Sequence, residues 1–295
     1  SKLFGLLDND EAYDLWRSIL DEVVTGYLPD YIWMDFGQRF IEEGHRKQFL
    51  ANYFNRAAIA NKDVVVHTKG DFFPRDLAIV NVERATMTDI QPEVWVTDFI
   101  LGSAWSYDKT RRTALDPAKA VRILADVVSK NGVMLLSAGP TPEGTIPEEQ
   151  LETLAAMGQW LTPYGEAIFG TRPFVTFGEG TTVLSNDESD AWKEFGAIKK
   201  GIWNLNAADV RYTRKGNFVY AIQLGWAEGQ DGRMLAAFAK DSFPAKVKRV
   251  SVLGYDGKIK WQRTPLGMTV GMPKEKPVGA DMAVVWKIEL EAKRK

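Results

Sequence analysis

The sequence predicts an α/β plus all-β protein: the C-terminal half of a (β/α)8-type barrel followed by an antiparallel β-sandwich. Three observations predict it. Up to about residue 174, helical stripes alternate with short apolar runs, the pattern of parallel βα units. Beyond Phe174 the chain changes to short strands separated by turn signals, the pattern of an antiparallel β-domain. Only four strands are legible in the first part, whereas a closed barrel needs eight and typically about 250 residues. Domains are therefore expected at 1–174 and 175–295. A half-barrel alone leaves apolar strand faces wet, so about three to four N-terminal βα units are expected from the same precursor or another chain.

In order, Leu15, Trp16, Ile19, Leu20, Val23 and Val24 recur at three- and four-residue spacing and predict a helix over 10–27, stopped by Pro29. The run Tyr31 to Phe36 predicts a buried strand delivering Asp35 at its C-terminal end. A helix follows over 43–60 with Phe49, Leu50, Tyr53, Phe54 and Ala57 on one face, then a strand at Val64–Val66 and a loop at 69–92. Strands at Val94–Val96 and Val133–Leu136 flank a helix over Pro117–Ser129, which has Asp116 as N-cap and Pro at its first position. A last helix runs over 147–164. Sandwich strands are expected at Phe218–Leu224, Met234–Ala239, Val247–Leu253, Ile259–Arg263 and Met282–Ile288, with Asp256-Gly257 as a hairpin turn.

Composition narrows the partners. With 295 residues, 45% apolar, 26% charged and a formal charge of −2, the chain has globular values and no basic excess to hold nucleic acid or an anionic membrane. No apolar run approaches the roughly 20 residues of a membrane span, and SKLFGLLDND carries no signal-peptide core. Zero cysteines exclude disulfides and thiol chemistry and suit either side of a membrane; the location expected is periplasmic or extracellular. A homo-oligomer is left open. Aromatic residues make up 12% of the chain, enough to stack on apolar sugar faces as well as to fill a core.

Among residues that could carry chemistry, Asp35 leads, because strand C-termini form the active face of such barrels; the plain alternative is a loop or N-cap acid. Chemistry of the two-carboxyl kind, as in glycoside hydrolysis, would need a second acid beside Asp35. Glu83, in the 69–92 loop beside Arg84, is one candidate, with Glu93 and Asp98 as rivals, and each alone is more often a solvated surface acid. Lys69 and His67 share a strand end and are candidates for contact with substrate, whereas His45 at a helix start is a structural histidine. Two unrelated histidines form no metal motif, so neither metal nor cofactor is expected. Ser137 to Pro147 is a Gly/Pro-rich strand-to-helix connection without a phosphate-loop signature.

Taken together these segments resemble glycoside hydrolase family 29, the α-L-fucosidases. Tyr31-Ile32-Trp33-Met34-Asp35-Phe36-Gly37 is similar to the family's nucleophile strand, and Asn131 through Pro147 to its stretch written close to GNLLLNIGPTPDGTIP. Gly165 through Pro173 resembles the segment that closes the catalytic domain, and Asp209–Thr213 and Tyr220–Trp226 resemble parts of its sandwich. The resemblance implies a retaining exo-glycosidase that hydrolyses terminal α-L-fucosides of oligosaccharides or glycoconjugates by double displacement. It makes Asp35 the nucleophile, Trp33 a sugar-contacting aromatic, and Lys69 the counterpart of a basic residue, often Arg, that touches fucose. Many relatives have Trp-Glu where this chain has Trp95-Val96; relatives lacking that glutamate carry Glu-Arg-Gly in the preceding loop, similar to Glu83-Arg84-Ala85, which assigns the acid/base to Glu83 ahead of Glu93. Trp95 and Trp105 are further candidates for sugar contact and for the apolar wall that suits a general acid. The competing expectations are a silent carbohydrate-binding or scaffold relative, and a retaining glycosidase for another sugar such as galactose.

Overall fold

The structure is a computed structural model that describes residues 9–35, 38–70, 72–185, 196–240 and 243–291. In chain order it contains α1 (Asn9–Tyr27), β1 (Tyr31–Trp33), α2 (Glu43–Ile59), β2 (Val65–Thr68), β3 (Ile79–Glu83), β4 (Thr86–Met87), β5 (Trp95–Ile100), α3 (Pro117–Ser129), β6 (Gly132–Ser137) and α4 (Glu148–Tyr164). There follow β7 (Arg172–Glu179), β8 (Ala197–Ile198), β9 (Val210–Lys215), β10 (Phe218–Gln223), β11 (Gly232–Leu235), β12 (Val247–Val252), β13 (Trp261–Thr264), β14 (Gly267–Gly271) and β15 (Val284–Leu290). The parallel part is a half-barrel and the antiparallel part a β-sandwich. The chain packs as two compact units, Ser1–Asn81 and Val82–Lys295. None of the described helices is long and apolar enough to cross a membrane.

In the first unit β1, β2 and the start of β3 lie in that order and run parallel, Trp33 opposite His67 and His67 opposite Ile79. The apolar stripes of α1 and α2 meet beside them. Trp16 sits edge-on to Phe49 at 5.7 Å, and Val24, Ile32, Phe49, Tyr53 and Val66 form one buried cluster. Full burial of each such side chain is worth about 1.5–3 kcal/mol. The Tyr53 hydroxyl donates to the Pro29 carbonyl at 2.7 Å, satisfying its polar tip in the core. β1 is shorter than the predicted strand: pairing stops at Trp33, and Phe36 and Gly37 lie outside the described residues.

In the second unit the end of β3, β5 and β6 lie side by side, with β5 and β6 parallel from Trp95–Gly132 to Ile100–Ser137. The predicted loop at 69–92 is corrected, because it contains β3 and β4. Asn81 and Glu83 interrupt the apolar run, and the strand owes its burial to packing rather than to its own pattern. All six residues of β5 are buried, as expected of a strand covered on both faces. Asp116 caps α3 as predicted, its carboxylate accepting from the Lys119 N–H at 2.9 Å. The helix is followed by Asn131 at φ +71°, a left-handed turn that Asn tolerates. At Gly132 a methyl group would meet Trp95 Cζ2 at 2.5 Å and Val127 Cγ1 at 2.7 Å. Gly132→Ala is therefore expected to lower stability by about 1–3 kcal/mol in urea denaturation.

The sandwich pairs β12-β15-β10-β9-β7 with β11-β14-β13. Val219, Leu235, Val250, Met268, Val270, Trp286 and Ile288 share its core. Asp256-Gly257 is no hairpin turn: β12 pairs with β15 and β13 with β14, so this turn passes between the two sheets. The run predicted as Met234–Ala239 is β11 followed by a 3-10 turn at Ala236–Phe238. Strands β7, β8, β9 and β14 had no sequence prediction.

Within the same unit, helices dock on the sandwich through named bonds. The Trp160 indole N–H on α4 donates to the Ala283 carbonyl at 3.1 Å, and the Tyr164 hydroxyl to Val278 at 2.9 Å. Asp126 on α3 is fully buried and accepts from Arg211 Nε of β9 at 2.6 Å, Lys130 Nζ at 2.8 Å and Thr86 Oγ1 at 2.6 Å. Burial alone pushes the Asp126 carboxyl up, but Lys130 and Arg211 outweigh it and carry it down to about 2.

Candidate functional site

The first unit gathers Asp35, Trp33, His67 and Lys69. Alternation along a strand sends every second side chain to one face. Tyr31, Trp33 and Asp35 share one parity on the first segment and His67 and Lys69 share one on the second, with Trp33 directly opposite His67. Lys69 Nζ stands 3.3 Å from Asp35 Oδ1 and 4.8 Å from the centre of the Trp33 ring. Lys69 is itself buried, whereas the Asp35 side chain is 60% exposed. That corrects the expected buried strand with Asp35 at its C-terminal end: Asp35 lies two residues past the last paired residue and opens outward. Its backbone is held by the Gln38 side-chain amide, which donates to the Asp35 carbonyl.

His67 is completely buried. Its ring stacks on Trp33 at 4.8 Å and lies 5.6 Å from Tyr31. Burial first, and then the charge of Lys69, push it down to about 3 against opposing pulls from the Ile32 backbone and Asp35, so the ring is neutral at physiological pH. Among the described residues the Trp33 indole N–H is buried without a hydrogen-bond partner. Such atoms in a native site call for a partner from outside the chain's own hydrogen bonds. His45, expected to be structural, packs 5.4 Å from Tyr13.

In the second unit Glu83 ends β3 rather than lying in a loop. The next residue, Arg84, holds a left-handed backbone at φ +50°, with its N–H bonded to the Asp98 carbonyl at 2.9 Å. A non-glycine residue pays about 1–2 kcal/mol for that conformation, and such strain clusters at functional sites. Glu93 is exposed and precedes β5, which puts it at the N-terminal end of the parallel strands, away from the end where barrel chemistry is done. Asp98 is buried in the middle of β5 and not at its end.

Trp95 is core: it is 2% exposed and its N–H donates to the Lys130 carbonyl at 3.0 Å, which leaves no ring face for a sugar. Trp105, beyond the C-terminal end of β5, is 44% exposed. A groove of 760 Å³ between α2 and residues 72–77 contains none of the candidates. Tyr31 escaped sequence reasoning as a site residue, although the i, i+2 series Tyr31, Trp33, Asp35 was its signal. The Asp126 cluster also escaped, since its members are scattered along the chain.

The comparisons with known proteins bear directly on this arrangement. The family model described as Alpha-L-fucosidase matches residues 8–166, and the model described as Alpha-L-fucosidase C-terminal domain matches residues 204–291. The chain is similar to human tissue alpha-L-fucosidase, at 25% identity over 92% of this chain and 53% of that protein. It is also similar to an alpha-L-fucosidase of Branchiostoma floridae, at 27% identity over 90% of this chain and 54% of that one. In fold it resembles a solved alpha-L-fucosidase with TM-score 0.72, at 23% identity, covering 95% of this chain and 56% of that one. The Thermotoga maritima alpha-fucosidase in complex with fucose gives TM-score 0.67 at 23% identity, covering 94% and 56%. The chain thus spans about half the length of the curated relatives it matches. With one model covering residues 8–166, which include Asp35, Lys69 and Glu83, and another covering residues 204–291 of the sandwich, the chain belongs to the alpha-L-fucosidase family.

Proposed function

We propose that this chain carries the nucleophile side of a retaining α-L-fucosidase site. The observation that carries the reading is the Asp35 carboxylate 3.3 Å from the Lys69 ammonium, with that ammonium lying over the Trp33 ring. In this mechanism Asp35 attacks the anomeric carbon while Glu83 protonates the leaving oxygen. Water then opens the glycosyl ester with Glu83 as base, and the configuration is retained. Lys69 holds the attacking carboxylate in place, exposed Trp105 contacts the sugar, and the Trp33 N–H, buried without a partner among the described residues, takes a hydroxyl. The substrate is a fucosylated oligosaccharide or glycoconjugate. The remaining site groups come from a barrel half outside these residues, in the same precursor or another chain. A periplasmic or extracellular location belongs to this reading, since a cysteine-free chain loses nothing in an oxidising compartment.

The assembled protein should hydrolyse p-nitrophenyl α-L-fucoside, with α-fucose as the first product by NMR. No hydrolysis, or β-fucose first, overturns the proposal. Glu83→Gln should lower kcat by about 10²–10⁴-fold on an alkyl fucoside and by less on the aryl fucoside, whose leaving group needs no proton. An equal effect on both substrates would remove Glu83 from the acid role.

A further inference from the structure

We propose that His67 is a positioning residue: its ring is the plate that fixes the plane of Trp33, and through Trp33 the place of the Lys69 ammonium beside Asp35. The proposal rests on the reading of Asp35 as the reacting carboxylate, but its geometry does not.

Five side chains from two neighbouring segments interleave in one column. Tyr31 and His67 lie 5.6 Å apart with planes at 32°, and His67 and Trp33 lie 4.8 Å apart at 28°. Lys69 Nζ is 4.8 Å from the Trp33 ring centre and 3.3 Å from Asp35. The parallel register, Tyr31 opposite Val65 and Trp33 opposite His67, produces this order directly. Each inner member is thus clamped between two members of the other segment.

A fully buried His67 presents ring faces to both neighbours. Its neutrality matters, because a second cation beside Lys69 would repel the ammonium from its place over the indole. A lysine needs this help more than an arginine does. A guanidinium stacks as a plane and grips a carboxylate with two parallel bonds, whereas an ammonium is a point charge on a flexible four-carbon stem. Its direction must come from what surrounds it, and the ring face of Trp33 is part of that surrounding, together with the Asp35 carboxylate.

The test compares three variants of the assembled protein. His67→Phe keeps the plate and removes the nitrogens, His67→Leu keeps apolar volume without a plane, and His67→Ala removes both. The first readout is the upfield ring-current shift of the Lys69 Hε protons in NMR, which reports an ammonium stem over an indole and needs no turnover. The second is the split between kcat and KM on p-nitrophenyl α-L-fucoside. The Phe variant is expected to keep the Lys69 shift and to stay within about threefold of wild-type kcat. The Leu and Ala variants are expected to lose the shift and up to about 10²-fold in kcat, the scale of a misplaced reacting group, with a smaller change in KM. If Ala does not fold, Leu against Phe decides. A folded Leu variant with wild-type shift and kcat overturns the proposal. So does a Phe variant that loses both, since the nitrogens would then carry the role. If the wild-type protein hydrolyses no fucoside, the proposed function fails on that result, while the Lys69 shift still tests the plate.

Discussion

Asp35→Ala is expected to lower fucoside hydrolysis by the assembled protein by about 10⁴-fold or more, the scale seen when a covalent nucleophile is removed. Added azide should restore part of the turnover. The reason is geometric: with the carboxylate gone, a small anion can enter on the face that Asp35 occupied beside Lys69 and displace the leaving group once. A single displacement inverts, so the product is β-fucosyl azide, and NMR identifies it. A variant with undiminished hydrolysis removes Asp35 from the mechanism, and an α-azide contradicts the single displacement.

Asp126→Asn is expected to be the most damaging change to stability, by about 3–5 kcal/mol, because it leaves the buried Lys130 and Arg211 without their anion. Thermal unfolding at neutral pH measures it. Removing all three charges together, as Asp126→Leu with Lys130→Met and Arg211→Met, should cost less than the single change. The same carboxylate sets an acid limit. Its folded pKa is about 2, below the roughly 3.9 of an unfolded Asp. A depressed acid stabilises the fold at pH above the unfolded value, and that stability is lost as pH falls from about 4 through 2. In Asp126→Asn this share of the acid dependence should vanish, and an unchanged stability curve between pH 4 and 2 would count against the cluster as its source.

The legible parts of the fold were those whose signal is local. Helix α3 was readable from Asp116-Pro117, an N-cap followed by Pro at the first helical position, and the structure begins it at Pro117. β3 was not readable, because Asn81 and Glu83 break its apolar run and only neighbouring strands make it one. Asp256-Gly257 carried a hairpin signal, but the pairing of β13 with β14 took its second strand into the other sheet. At the site, Asp35, His67 and Lys69 were legible as strand-end residues and Trp33 through the family resemblance, and the four do gather. Trp95 was misread, because nothing in its sequence tells a core indole from a sugar platform; the Lys130 carbonyl on its N–H decides that. The Asp126 cluster joins residues up to 125 positions apart, Thr86 to Arg211, and no window along the chain contains it.

The column of Tyr31, His67, Trp33, Lys69 and Asp35 is encoded by parity as much as by residue type. Because side chains on a strand alternate between faces, shifting β1 by one residue against β2 would send Tyr31, Trp33 and Asp35 to the opposite face and leave His67 and Lys69 where they are. One inserted or deleted residue between Tyr31 and Asp35 would therefore dismantle the column with every one of its side chains still present. On this geometry a substitution leaves the parity of the column intact, whereas a change of length is harmless to it only beyond Asp35 and outside β2.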